Sequence, residues 1–194
     1  MGGHVPIVDP VPPAGTGTTV HSGADEPAPR GLGAGLGVTV LAIGVALSFW
    51  AGRESEVETA VHAVATQGRP AQTGAPPTTA SGRPLDAAFG VPFPNLTARL
   101  GWEPVGRRRD SVDGRQVRTL QYGRAGRRLA YSVVSGAPLV PPLGVVRVPS
   151  RGPDALTFET GGRSAVMSTR AGHTILVSGT GVSRVALVRA ARTR

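Results

Sequence analysis

The chain has 194 residues and no cysteine. That excludes disulfides, a thiolate zinc site and a cysteine nucleophile. It leaves the compartment open, since an oxidising exterior poses no pairing problem for such a chain. Lysine is absent too, and all 21 basic residues are arginine. Exposed cationic positions accept either residue, so the exclusion of one points to GC-rich coding, in keeping with the abundance of Gly, Ala, Pro and Val. The third absence is local. From Gly31 to Gly52 there is no Asp, Glu, Lys, Arg or His. About 20 apolar helical residues at ~1.5 Å each cross a ~30 Å hydrocarbon core. Lipid admits only a helix there, because a helix satisfies its own backbone groups. Phe49 and Trp50 stand at one end, where aromatic rings favour the interface. The residues where a signal peptide wants small side chains are these two aromatics, so the run is expected to remain as an anchor. Arg30 and Arg53 flank it on either side, and charge alone does not orient it.

The fold class expected is α+β: one transmembrane helix, then a small antiparallel β-sheet domain with flanking helices. Residues 1–30 carry six prolines and few large apolar groups, which predicts a disordered tail. The transmembrane helix is 31–52. Val57, Val61 and Val64 recur at helical spacing and predict a stalk helix over 53–67. The Pro-, Gly- and Thr-rich stretch 68–85 reads as a linker. Residues 86–194 are the folded external domain, long enough for one small core. Asp113-Gly114, Gly123–Gly126, Gly161-Gly162 and Ala171-Gly172 mark turns between alternating segments. A short helix is predicted near Pro94–Leu100 and a closing helix near Val182–Ala191. The apolar phase of these elements is Trp102, Leu120, Tyr122, Leu129, Tyr131, Val133, Val166, Ile175, Val177 and Leu187, the predicted core.

Four short motifs follow one another here: Leu100-Gly101-Trp102, Gly106-x-Arg108, Gly114-Arg115 and Leu120-Gln121-Tyr122. Gly172-His173-Thr174, Val177-Ser178-Gly179 and Leu187 come later. Over roughly residues 94–191 this pattern resembles the external domain of single-pass transmembrane anti-sigma factors. The resemblance implies a signal-transduction protein at the cell membrane, with its tail in the cytoplasm and an extracytoplasmic C-terminal domain. The family's sigma-binding domain, often with a His/Cys zinc motif, precedes the membrane helix. Here no cysteine exists, and the segment 1–30 is too short for that helical domain. Sequestration of a sigma factor by this polypeptide alone is therefore in doubt.

The scattered His4, His21, His62 and His173 do not have metal-ligand spacing. Asp110 and Asp113 flank a turn, where aspartates bond to backbone. The reading therefore assigns no catalytic, cofactor-binding or metal-binding residue, and no enzyme activity. The local signal is charge: residues 86–194 hold 17 Arg against 6 acids. Arg107, Arg108, Arg109, Arg115, Arg118, Arg124, Arg127 and Arg128 cluster in the first hairpins and are expected to face an anion or a partner. The partners expected are the membrane, another membrane or cytoplasmic regulatory protein, and anionic envelope polymers. Nucleic acid fits poorly, because only Tyr122 and Tyr131 lie at hand to stack on bases. A small-molecule substrate is not expected. Two functions stay open: an anti-sigma-factor-like sensor or regulator, and an envelope adaptor or anionic-polymer-binding domain with no transcriptional role.

Overall fold

Hairpin turns set the path of the chain. A computed structural model describes residues 56–149 and 154–194. Strands β4 (Glu103–Val112), β5 (Arg115–Arg124) and β6 (Arg127–Val134) form one meander. Strands β7 (Val146–Val148), β8 (Ala155–Thr160), β9 (Arg163–Arg170) and β10 (His173–Thr180) form a second. Four of the connections are two-residue turns: Asp113-Gly114, Ala125-Gly126, Gly161-Gly162 and Ala171-Gly172. In each, both residues have positive φ. That conformation matches the twist of the strands it joins. The meanders meet where β6 pairs with β10, from Val134↔Thr174 to Arg128↔Thr180. With the short β1 (Thr73–Gly74) at one edge, the result is an eight-stranded antiparallel sheet in the order β1-β4-β5-β6-β10-β9-β8-β7. A small hairpin, β2 (Ala87–Ala88) with β3 (Val91–Pro92), lies outside it.

One face of the sheet buries all ten residues of the predicted core in a single cluster. Helix α3 (Arg184–Arg192) covers part of it with Leu187, Val188, Ala190 and Ala191. Its N-cap is Ser183, whose hydroxyl accepts from the N–H of Ala186, satisfying a donor the helix leaves open. Arg189 and Arg192 sit in its last turn, where cations suit the helix dipole. Helix α2 (Leu96–Leu100) and the chain around it cover the rest with Val91, Phe93, Leu96 and Trp102. Asn95 caps α2, and Gly101, in the left-handed region, ends it, as glycine commonly does.

The opposite face is apolar as well. Val112, Val117, Val134, Phe158, Ala165, Met167 and Leu176 form a second cluster under Ala60, Ala63 and Val64 of helix α1, residues 56–67. Complete burial of a side chain such as Val64 is worth about 1.5–3 kcal/mol. Gln67 ends the helix and pins it. Its amide donates to Ser132 Oγ at 2.7 Å and to the carbonyl of Leu176 at 3.0 Å, and it accepts from Ser178 Oγ. At the other end, Arg115 bonds Glu56 at 3.1 Å.

Three expectations change. The fold of the described residues is not a small sheet with flanking helices. A large eight-stranded antiparallel sheet dominates, with few helices, and among the described residues no helix is long and apolar enough to cross a membrane. Residues 56–67 of the expected stalk are docked on the sheet, because Ala60, Ala63 and Val64 meet an apolar face the strands leave open. The expected linker joins the fold: Thr73 and Gly74 pair with Arg107 and Gly106, and Leu85 N–H donates to the carbonyl of Pro77 at 2.8 Å. The expected tail 1–30 and the run 31–52 lie outside the described residues.

The chain's two tyrosines are both buried. Tyr122 donates to the carbonyl of Pro94 at 2.8 Å, and Tyr131 meets Phe93 edge-on. Burial pushes the Tyr131 phenol up to about 12, against a smaller downward pull from Arg170, because the charged form loses its solvation. Burial raises Tyr122 further, helped by Tyr131 and Asp86. The folded state therefore keeps protons that an unfolded chain releases near pH 10.0. Stability from the neutral phenols is full below that pH and is lost as pH climbs through about 12, by proton linkage. Tyrosinate absorbance should thus appear together with loss of the β-sheet circular dichroism. An ordinary titration at pH 10.0 with the sheet intact would refute the buried pair. Replacing Gln67→Ala should cost about 1–3 kcal/mol in chemical denaturation, because buried serine hydroxyls lose their partner. An unchanged midpoint would mean the helix is not pinned.

Candidate functional site

The eight arginines do not form one surface. Arg115 and Arg124 stand at opposite ends of β5. A strand rises roughly 3.3 Å per residue, so its full length separates them. Several arginines have structural employment. Arg108 Nε donates to both carboxylate oxygens of Asp110, at 3.0 and 2.8 Å, and Nη1 donates to the carbonyl of Pro70 at 2.9 Å. Arg115 reaches Glu56 and the carbonyl of Ala137, the latter at 2.6 Å. Arg124 donates to the carbonyl of Leu100 at 2.7 Å and so caps α2. Such groups are already satisfied and have little left for a ligand. Arg127 and Arg128 sit at the β5–β6 turn, where Arg127 is the register partner of Arg124.

Arg107, Arg109 and Arg118 do converge. Side chains two apart on a strand share a face, so Arg107 and Arg109 project together from β4. Arg118 on β5 is the direct register partner of Arg109. Like charges placed opposite one another across a ladder destabilise a sheet. Neither Arg109 nor Arg118 has a carboxylate partner among the described residues. Arg107 has a loose one, Asp86 at 3.8 Å, and donates to the carbonyl of Gly74 at 3.2 Å. The three line a concavity of about 290 Å³ that Phe93 walls on one side.

Phe89 completes the arrangement. It occupies the β2–β3 turn with φ 53°, in the left-handed region. That conformation costs a residue with a Cβ roughly 1–2 kcal/mol. The turn holds its ring under the Arg118 guanidinium, 5.6 Å from the centroid, and 5.9 Å from the ring of His173. The Phe89-Gly90 turn shares its positive-φ pair with the four hairpin turns of the sheet, and it fixes where the ring stands. Three guanidinium forks beside two aromatic rings can bind a carboxylate or phosphate and pack its apolar part.

The other candidates behave as structure. Asp110 chelates Arg108, and Asp113 lies in its turn and faces His62 at 3.4 Å. His173 meets Phe89, and its Nδ1 is buried with no partner among the described residues. Sequence reasoning missed Phe89, Asp86 and Gln72, which lines the concavity and whose Oε1 accepts from the Arg109 N–H at 2.8 Å. The Phe89-Gly90 pair is their one local signal, since Gly90 at φ 79° marks a turn.

No family model, curated protein or solved structure matches this chain.

The unneutralised pair has a measurable cost. Arg109→Glu should place opposite charges across the ladder and raise stability by about 0.2–1 kcal/mol. The gain should shrink as salt rises past ~0.15 M, where the screening length is ~8 Å. A thermal melt in which the variant is no more stable than the parent would show the arginines are not repelling one another.

Proposed function

We propose that this chain is a non-enzymatic single-pass membrane protein, an anti-sigma-factor-like sensor or regulator whose folded part lies outside the cell. The observation that supports this most is the placement of α1. Only residues 53–55 separate its first described turn from Gly52, the end of the charge-free run. Three residues span at most about 11 Å. The helix is packed by Ala60, Ala63 and Val64 and pinned by Gln67, so the link from the run to the sheet is short. A ligand that shifts the sheet's hold on α1 therefore acts directly on the run. Residues 1–30 hold no cysteine for a zinc site, and a separate membrane or cytoplasmic regulatory protein fits as the receiver of the output.

The basic concavity of Arg107, Arg109 and Arg118 also supports an envelope adaptor that grips anionic polymer and has no transcriptional role. The two readings share a topology and differ in output.

The topology is accessible because the natural chain lacks cysteine. Leu143 is 95% exposed, so Leu143→Cys gives an unambiguous label site. A membrane-impermeant maleimide should label that variant in intact cells, and should label Gly15→Cys only after lysis. The opposite pattern would overturn the orientation. For the output, transcript profiles with and without the gene should differ in a discrete set of promoters. Unchanged profiles, with labelling as expected, favour the adaptor.

A further inference from the structure

A second concavity, of about 300 Å³, opens on the α1 face of the sheet where that helix ends. Its walls come from three places in the chain. Arg69 follows the helix, Arg127 and Arg128 lie at the β5–β6 turn, and Arg163 begins β9. Among the described residues, no carboxylate lines it.

Most arginines in the domain have an evident partner, and these four are poorly served. Arg127 and Arg128 make no side-chain hydrogen bond or ion pair with the described residues. Arg163 donates to a neutral acceptor, Thr180 Oγ1, at 2.8 Å. Arg69 approaches Asp110 only to 4.0 Å, and that carboxylate is already held on both oxygens by Arg108. The helix terminus offers about half a negative charge, far short of four guanidinium groups.

The backbone makes room for this gathering. A Cβ on Gly68 would collide with Arg163 Nη1, so the missing side chain is what lets that guanidinium lie over the helix end. A Cβ on Gly179 would meet Val182 Cγ2 at 2.6 Å and the carbonyl of Arg128 at 2.8 Å, so its absence lets β10 pack closely between β6 and the chain entering α3. Gln121 also lines the cavity. It is buried, its Nε2 donates to the carbonyl of Arg69 at 2.8 Å, and its Oε1 has no partner among the described residues. That acceptor calls for a donor, which a protonated phosphate oxygen supplies.

We propose that this cavity binds a small phosphate-bearing ligand and that binding tightens the docking of α1. Arg69, Arg128 and Arg163 supply charged forks for phosphate oxygens, and Arg127, which strand alternation sends to the other side of β6, adds its charge at the rim. The coupling runs through adjacent residues. Gln67, two positions before Arg69, also lines the cavity and holds the helix to Ser132, Ser178 and Leu176. A phosphate that fixes Arg69 and Arg163 fixes the ground on which Gln67 stands. The site does not depend on the membrane reading, and is separate from the Arg109–Arg118 concavity on the opposite face.

The test uses the full chain in an uncharged detergent. Inorganic phosphate and pyrophosphate are the probes, and sodium chloride at matched ionic strength is the control. Both probes should raise the melting temperature more than sodium chloride does. Amide hydrogen exchange over residues 60–67 should slow by about 100-fold at a probe concentration of about 100 Kd, if opening of α1 releases the ligand. Arg127→Gln with Arg128→Gln removes two side chains that bond nothing in the domain, so folding is preserved. This pair should weaken binding by about tenfold or more. Arg163→Lys, which keeps the charge and loses the fork, should weaken it as well. Arg109→Gln with Arg118→Gln should leave it unchanged. A response no larger than that to sodium chloride overturns the proposal. So does undiminished binding in the Arg127/Arg128 variant, or equal loss in the Arg109/Arg118 variant, which would move the anion to the other concavity.

Discussion

A sheet with two apolar faces must be covered twice, and that requirement organises this molecule. The first cover is local to the sheet in sequence: α3 follows β10 directly, and α2 precedes β4. The second is α1, which precedes every strand and crosses the face that Val117, Val134 and Leu176 leave open. Without it those side chains would stand in water, at a cost of roughly 25 cal/mol per Å². The same helix carries Glu56 to Arg115 and Gln67 to Ser178, so its two ends are tied to opposite ends of the domain's polar framework. Any reading of the protein as a domain on a loose stalk fails on this packing.

Charge is the second constraint. With 17 arginines and 6 acids in residues 86–194, carboxylates cannot neutralise them all. Backbone carbonyls take up part of the excess. Arg124 caps α2, Arg170 binds the end of α3 at the carbonyl of Thr193, and Arg192 reaches the carbonyl of Val148. An arginine used in this way ties elements together and has few donors left for a ligand. Part of what remains gathers at two concavities on opposite faces, and this distribution, more than the net charge, makes a binding role specific. Where coding bias fills positions with arginine, burial and partners separate structural guanidiniums from available ones.

One local rule is broken at the first of these places: Arg109 faces Arg118 across a ladder, which conflicts with what a stable sheet prefers. A consistent sequence tends to reserve such conflicts for function. The proposed regulator would use this face and the proposed phosphate site to act on one helix from either side of the sheet.

Much of the strand order followed from short-range chemistry. Asp113-Gly114, Ala125-Gly126, Gly161-Gly162 and Ala171-Gly172 specify turns within two residues, and such turns fix the register of the hairpins they close. Alternation between them places Leu120, Tyr122, Leu129, Tyr131, Val133, Ile175 and Val177 on a common face. The opposite phase was harder to read. In β5 it is Val117, Thr119 and Gln121, which looks like a solvated face until Gln67 and Ser132 are seen to complete its hydrogen bonds. The candidate site was half legible. Arginine content pointed to the first hairpins, but which arginines are free depends on partners far away in the chain, such as Glu56 for Arg115 and Pro70 for Arg108. The sequence by itself determined the turns, the alternation and one buried face, because each depends on neighbours within a few residues. Only the tertiary structure decided that residues 56–67 cover the second face and which guanidiniums stay unpaired. Those outcomes rest on contacts up to 111 residues apart, for which no local pattern exists.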